Sequence, residues 1–274
     1  MAIEVFNRYE HKYKLNKAQF DEIIKVLDEH MELDKYNKDH KTYTIANIYY
    51  DTEDNELIRR SLSKPEYKEK LRLRSYGVPG KDDKVFLEIK KKYDGIVNKR
   101  RTTLKLDEAY DFVKTGIKPL QKDYMNAQVV NEISYFLKNY NLVPKVYIAY
   151  DRLAYFEKDN PDLRISFDIN IRSRRYDVAL EKGDYGDMLL DDGVYLMEVK
   201  TGKAKPMWLT KELSRLGIRR ESISKYGTEY TRYIKEKHNN VVVPLIPPQT
   251  QEYRESINIF DIFKKFKIAH RYAV

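Results

Sequence analysis

The run KLRLR sets Lys70, Arg72 and Arg74 on one side of an extended chain and Leu71 and Leu73 on the other. Successive side chains of a strand point to opposite faces, so this spacing separates charge from apolar surface. The same two-residue period recurs along the sequence. FLEIKKK alternates Glu88 and Lys90 with Leu87 and Ile89, NKRRT aligns Lys99 with Arg101, and LMEVK sets Glu198 and Lys200 opposite Met197 and Val199. LRISFDINIR places Arg164, Ser166, Asp168, Asn170 and Arg172 together, and RYEHKYK aligns Arg8, Glu10, Lys12 and Lys14. A single such strand is an ordinary half-solvated strand of an antiparallel sheet. Across the set, nearly every strand offers Arg or Lys with single carboxylates spaced among them, where a solvated face would carry Thr, Ser and Glu. If helices cover the apolar faces from outside and the sheet closes, the charged faces line a bore. Such an interior needs a polyanion, with one or two metal ions, to neutralise it.

Period-two segments fall at 6–15, 43–50, 66–76, 85–92, 96–104, 145–156, 163–174 and 194–200. Helical spacing appears in four places. Asn16 caps a face of Phe20, Ile23, Ile24 and Leu27; Asp107 opens a short helix that Gly116 stops. A third helix carries Val129, Ile133, Phe136, Leu137 and Tyr140 ahead of Pro144, and a fourth follows Pro206 with Leu209, Leu213 and Leu216. The expected fold class is α+β: an eight-stranded antiparallel β-barrel with a charged interior and helices packed outside. Residues 1–240 are expected to form one domain. Residues 241–274 read as a Pro-rich linker followed by a short amphipathic tail bearing Ile259, Ile262, Phe263 and Phe266.

Several chemistries are excluded. The chain has 0 cysteines, which removes disulfides, thiol nucleophiles and Cys-ligated zinc. His11, His30, His40, His238 and His270 show no HExxH or HxxxH spacing, and the pairs Gly80-Lys81 and Gly202-Lys203 lack the rest of a P-loop. No segment reaches the roughly 20 apolar residues of a membrane span, and the charged opening MAIEVFNRYEHKYK, without an apolar h-region, is not expected to act as a secretory signal. A cytoplasmic protein is expected, with the inner face of a membrane as an alternative station. The 52 Lys+Arg against 43 Asp+Glu, a net +9, call for an anionic partner. Nucleic acid is not expected, because the basic residues alternate with aliphatic ones rather than with clustered aromatic platforms.

The ordered set RYEHKYKLN, NIYYDT, KLRLRSYG, VFLEIKKK, NKRR, YDRLAYF, LRISFDINIR, LMEVKTG and SKYG, spanning about residues 5–233, resembles the vacuolar transporter chaperone (VTC) domain. That domain belongs to the triphosphate tunnel metalloenzyme superfamily. The resemblance implies an eight-stranded tunnel and a polyphosphate polymerase that moves the terminal phosphoryl group of ATP onto a growing inorganic polyphosphate chain, with Mn²⁺ or Mg²⁺. By motif, it implies phosphate contacts from Arg72, Arg74, Lys90, Lys99, Arg152, Arg164, Lys200 and Lys225. Lys12, a looser match at the variable first strand, and Arg101 would be further substrate contacts. Glu198 would hold the metal; Glu88 is the next candidate, with an ion pair to neighbouring lysines as its alternative. Set against the eukaryotic pattern, no amino-terminal SPX-type helical domain and no membrane domain are expected, so coupling synthesis to translocation would need a membrane partner protein.

Two rival functions stand beside synthesis. Tunnel triphosphatases of the CYTH type carry ExExK at the first strand, where this chain reads YEHKYK with a single Glu in the pattern. A non-catalytic polyphosphate-binding subunit would lack the bore arginines or the metal glutamate, and both are present here.

Overall fold

Asn16 ends the first strand and begins the first helix. Its side chain accepts the Gln19 backbone N–H at 2.9 Å, and the Gln19 side chain accepts the Asn16 N–H at 3.0 Å. Such a reciprocal cap is worth about 1 kcal/mol. The computed structural model describes residues 9–94, 96–158, 162–202 and 204–239. Its long strands are β1 (Tyr9–Leu15), β3 (Tyr43–Asp51), β4 (Tyr67–Tyr76), β5 (Lys84–Tyr93), β6 (Ile96–Lys105), β7 (Val143–Glu157), β8 (Arg164–Arg174) and β10 (Tyr195–Thr201). Three short strands join them: β2 (Met31–Leu33), β9 (Asp187–Met188) and β11 (Arg220–Glu221). The helices are α1 (Lys17–His30), α2 (Glu56–Leu62), α3 (Leu106–Thr115), α4 (Ala127–Asn139), α5 (Met207–Arg215) and α6 (Lys225–Asn239). Gly116 ends α3 at φ 70, a left-handed position that suits a residue without Cβ.

The eight expected strands and four expected helices are all present, and the class is α+β. The expected closed barrel is corrected. The strands form one antiparallel sheet of 11 strands in the order β11-β1-β10-β8-β7-β3-β4-β5-β6, with β2 on β7 and β9 on β8. Among the described residues no ladder joins β6 to β11, so the sheet is open. Alternation fixes which side chains share a face, but curvature and edge pairing depend on twist and register, which alternation leaves free. The flanks nonetheless approach each other: Lys90 of β5 lies within electrostatic reach of Glu10 and Lys12 of β1. The charged face is therefore the inner one.

The outer face carries two cores. Leu71, Leu73, Leu87 and Ile89 pack under Phe112 of α3 and Ile133 and Phe136 of α4. Tyr13, Leu153, Ile165, Phe167 and Val199 pack under Ile23 and Leu27 of α1 and Leu209 and Leu213 of α5. Each fully buried aliphatic side chain contributes about 1.5–3 kcal/mol.

A third core corrects the expectation that all helices lie outside. Ile45, Ile148, Tyr150 and Leu196 point inward and meet Tyr226 and Tyr230 of α6. Helix α6 thus covers part of the inner face. Its start is fixed by Asp51, a buried carboxylate that accepts the Tyr226 hydroxyl at 2.9 Å and the backbone N–H groups of Leu57 and Ile58.

A bulge in β8 corrects a further expectation. Between Asp168 and Arg172 the strand carries an extra residue, with Asn170 at φ 50. Asn170 then donates to Asp151 at 3.0 Å, and Arg172 pairs with Asp151 and Asp184 on the outer face. Asn170 and Arg172 therefore leave the charged inner row, and Ile171 takes its place.

The chain divides into two compact units, Met1–Ile234 and Lys235–Val274, and only 235–239 of the second are described. The expected linker and tail of 241–274, and Arg8 at the other end, lie outside the described residues. Among the described residues no helix is long and apolar enough to cross a membrane.

Candidate functional site

Strands β3 to β6 form one wall of the inner face. The ladders set Tyr49 opposite Arg72, Asn47 opposite Arg74, Arg72 opposite Glu88 and Lys90 opposite Lys99. Glu88, only 1% exposed, is the single carboxylate in this group. Arg72 Nε lies 2.6 Å from it, Lys99 Nζ 2.9 Å and Arg74 Nε 4.0 Å. Arg74 is also anchored sideways, donating to Asn47 Oδ1 at 2.9 Å and to the Tyr150 hydroxyl at 3.1 Å. Lys70 and Lys90 have no described carboxylate within ion-pair distance.

The second wall is built from β1, β7, β8, β10 and the first residue of α6. Arg152 grips Asp168 with two parallel bonds of 2.7 and 2.9 Å, and Lys225 also reaches Asp168. Glu198 receives Lys12 at 3.1 Å, Lys200 at 3.2 Å, Lys225 at 3.5 Å and Arg152 at 3.8 Å. Glu10 joins the edge of this network, 3.5 Å from Lys12 and 4.0 Å from Lys200. The planar Arg152 fork suits the bidentate carboxylate contact, and the lysines act as point charges.

These arrangements set the protonation states. Burial opposes ionisation of Glu88, but Arg72, Arg74 and Lys99 outweigh it and hold its carboxyl well below the usual range. Burial likewise opposes Glu198, and Lys12, Lys200, Lys225 and Arg152 pull it down more strongly. Asp168 is lowered against its burial by Arg152 and Lys225. On the β3–β6 wall two lysines are pushed towards the neutral form. Burial first, then Lys68, Lys90 and Lys12, push Lys70 down to about 8. Lys99 falls to about 7 through burial, with Arg72 and Arg74 adding to the effect against the pull of Glu88. Tyr49, despite burial, is lowered to about 8 by Arg72, whose Nη1 donates to its hydroxyl at 3.3 Å. Cations lacking counter-charges inside the fold make a site that an external anion stabilises.

The residues singled out by sequence separate into four groups. Arg72, Arg74 and Lys99 converge on Glu88; Lys12, Arg152, Lys200 and Lys225 converge on Glu198 or Asp168; Lys90 faces inward between the walls. Arg164 and Arg101 join neither cluster. Arg164 reaches Asp34 at 3.6 Å over the ring of Phe156, and Arg101 lies over Phe86. Lys70, Glu10 and Asp168 belong to the site without having been assigned roles from sequence. Their signal was the alternation itself, which already placed them on the charged face. Tyr49 and Asn47 lie in the NIYYDT motif, but alternation assigned them no role, because neither carries a charge and Tyr on a strand is equally at home facing a core.

Among the described residues no three acids or imidazoles converge as a metal centre. The donor set fits a divalent cation that shares one carboxylate with phosphate oxygens, as Mg²⁺-type ions commonly do. Glu198, a hard oxygen donor, is the residue that would hold it, with Glu88 second. Both carboxylates are ion-paired in this structure, Glu88 to Arg72 and Lys99, and Glu198 to Lys12, Lys200, Lys225 and Arg152.

Three solved structures are similar in fold. A putative adenylate cyclase from Bacillus halodurans shares 14% identity over 81% of this chain and 96% of its own, with a TM-score of 0.49. A putative adenylate cyclase from Vibrio parahaemolyticus shares 13% over 82% of this chain and 99% of its own, with a TM-score of 0.41. A putative adenylyl cyclase from Hippeastrum, described as having a dominant triphosphatase activity, shares 17% over 81% of this chain and 95% of its own, with a TM-score of 0.48. No curated protein matches the chain. The family model of the VTC domain matches residues 7–234, most of the sequence whose charged strands build both walls, and the chain belongs to the VTC domain family.

Proposed function

We propose that this protein is a polyphosphate polymerase, transferring the terminal phosphoryl group of ATP to the end of an inorganic polyphosphate chain. The observation that carries this reading is the β3–β6 wall, where Lys70, Arg72, Arg74, Lys90 and Lys99 face the single carboxylate Glu88. A string of adjacent phosphates supplies the missing charge, and membership of the VTC domain family supports polyphosphate as that string.

Phosphoryl transfer depends on positioning and charge neutralisation more than on covalent protein chemistry. A terminal oxygen of the polymer attacks the γ-phosphorus, the bond from that phosphorus to the β–γ bridging oxygen breaks, and ADP leaves with the electron pair. The attacking oxygen is already ionised, so no general base is required. Consistently, no imidazole is among the described groups contacting Glu88, Asp168 or Glu198. Arg72, Arg74 and Lys99 would hold and orient phosphates, while Lys12, Lys200 and Lys225 meet charge developing on the transferred group. A divalent cation bound at Glu198 would supply further neutralisation of the phosphate oxygens.

Hydrolysis is the second reading. Glu10 and Asp168 each lie within electrostatic reach of Glu198 on one wall, more acidic groups than the single Glu of YEHKYK suggests. Incubation with ATP and Mn²⁺, followed by gel detection of polymer, separates the two. Polymer with ADP supports synthesis; free phosphate without polymer supports hydrolysis.

A further inference from the structure

A row of aromatic side chains stands on the inner face just beyond the cations. Tyr43, Tyr76 and Phe86 occupy inward positions of β3, β4 and β5, with Tyr76 opposite Ile45 and Phe86 opposite Arg74. Tyr36 meets them from the turn after β2. The rings form a continuous arc: Tyr36 to Tyr43 is 6.2 Å between centroids, Tyr43 to Tyr76 6.0 Å, and Tyr76 to Phe86 5.7 Å. A guanidinium stands at each end. Arg101 lies 4.7 Å over Phe86. At the other end Arg164 reaches Asp34, whose carboxylate accepts the Tyr36 backbone N–H at 3.1 Å. The two arginines that joined neither ion-pair cluster therefore bracket this arc.

Rings that serve only as core are buried. Here Tyr36 is 67% and Tyr76 52% exposed, while Arg74 and Glu88, deeper on the same face, are 6% and 1% exposed. An open aromatic surface runs directly into a closed cationic one. Inorganic polyphosphate would use only the second. Single-stranded nucleic acid would use both, but it spaces one phosphate per base, whereas Arg72, Arg74 and Lys99 crowd around one point. One flat aromatic group attached to several adjacent phosphates matches the whole surface.

We propose that the arc of Tyr36, Tyr43, Tyr76 and Phe86 is a nucleoside subsite, stacking the base of a nucleotide whose phosphates lie among Arg72, Arg74 and Lys99. The proposal rests on the reading of the β3–β6 wall as a phosphate site and adds where the base goes. Stacking on aromatic rings tolerates any base, so adenine and guanine nucleotides bind alike.

The test compares calorimetric binding of ATP and of inorganic tripolyphosphate to the full chain and to Tyr76→Ala, Tyr76→Phe and Tyr36→Ala. Both tyrosines are largely exposed, so folding is expected to persist, and circular dichroism checks it. The expected result is ATP binding about tenfold weaker in Tyr76→Ala, restored in Tyr76→Phe and reduced in Tyr36→Ala, with tripolyphosphate unchanged throughout. Equal weakening of both ligands, or no weakening of ATP, would overturn the subsite. Wild-type binding of tripolyphosphate without ATP would also overturn it while leaving the phosphate site standing. Binding of neither ligand would remove the phosphate site as well.

Discussion

The two walls of the inner face solve the burial of charge in opposite ways. On the β1–β8–β10 side, Lys12, Arg152, Lys200 and Lys225 are matched by Glu10, Asp168 and Glu198 in a connected network. On the β3–β6 side, Arg72, Arg74 and Lys99 share Glu88, while Lys70 and Lys90 have no described carboxylate within ion-pair distance. Balanced charges rigidify a fold and hold side chains in register, whereas surplus charge stores repulsion that a ligand relieves. In the proposed reaction the first wall would hold groups in place around the transfer, and the second would capture the phosphates.

The contrast would break most visibly at Asp168. Its bidentate contact to Arg152 and its contact to Lys225 are buried, so Asp168→Asn leaves two cations under-compensated. A stability loss of about 3–5 kcal/mol is expected in denaturant titration. A loss below about 1 kcal/mol would mean the network is solvated and the walls are alike.

Glu198→Gln comes next. It keeps the side-chain volume and removes the charge that would hold a divalent cation. Turnover should fall about 100-fold or more, roughly 2.7 kcal/mol at the barrier, while nucleotide binding survives because the opposite wall is intact. Near-wild-type synthesis at limiting Mn²⁺ would transfer the metal role to Glu88.

On the surplus wall, Lys70→Met should act in the reverse sense. Removing a half-buried cation that has no ion-pair partner among the described residues is expected to raise the melting temperature, yet to weaken tripolyphosphate binding about tenfold or more by deleting one charge-assisted contact. A lower melting temperature with unchanged binding would make Lys70 structural.

The smallest effect is a proton count. In the unfolded chain Lys70 keeps its proton to about 10.4, and in the fold it loses it near about 8. Between those values the unfolded state binds more protons, so this group makes stability rise with pH across that window. A bound anion favours protonated Lys70. Tripolyphosphate binding near pH 8.5 should therefore take up a fraction of a proton, measurable by calorimetry in buffers of different ionisation enthalpy. The uptake should shrink in Lys70→Met; an unchanged value would assign it to Lys99 or Tyr49.

Much of this division was legible before folding. Asn16, Gly116 and the Lys70–Arg72–Arg74 spacing specify a cap, a stop and a charged face through local chemistry alone. Helix α6 was missed because its buried face is Tyr226 and Tyr230 beside Gly227 and Thr228, residues with weak helix preference. The Asn170 bulge left no mark in the alternation of LRISFDINIR, since the extra residue is accommodated by backbone conformation. Which cation meets which carboxylate depends on strand register, so faces could be read but partners could not.

The central claim is that phosphate captured between the walls is passed to a polymer rather than to water. ATP labelled at the γ-phosphate, incubated with the protein and Mn²⁺, tests this through the partition of label between acid-insoluble polymer and free phosphate. The expected result is label mainly in polymer, with an equal amount of ADP released. Label appearing as free phosphate in step with ADP, with no polymer at any time, would contradict it.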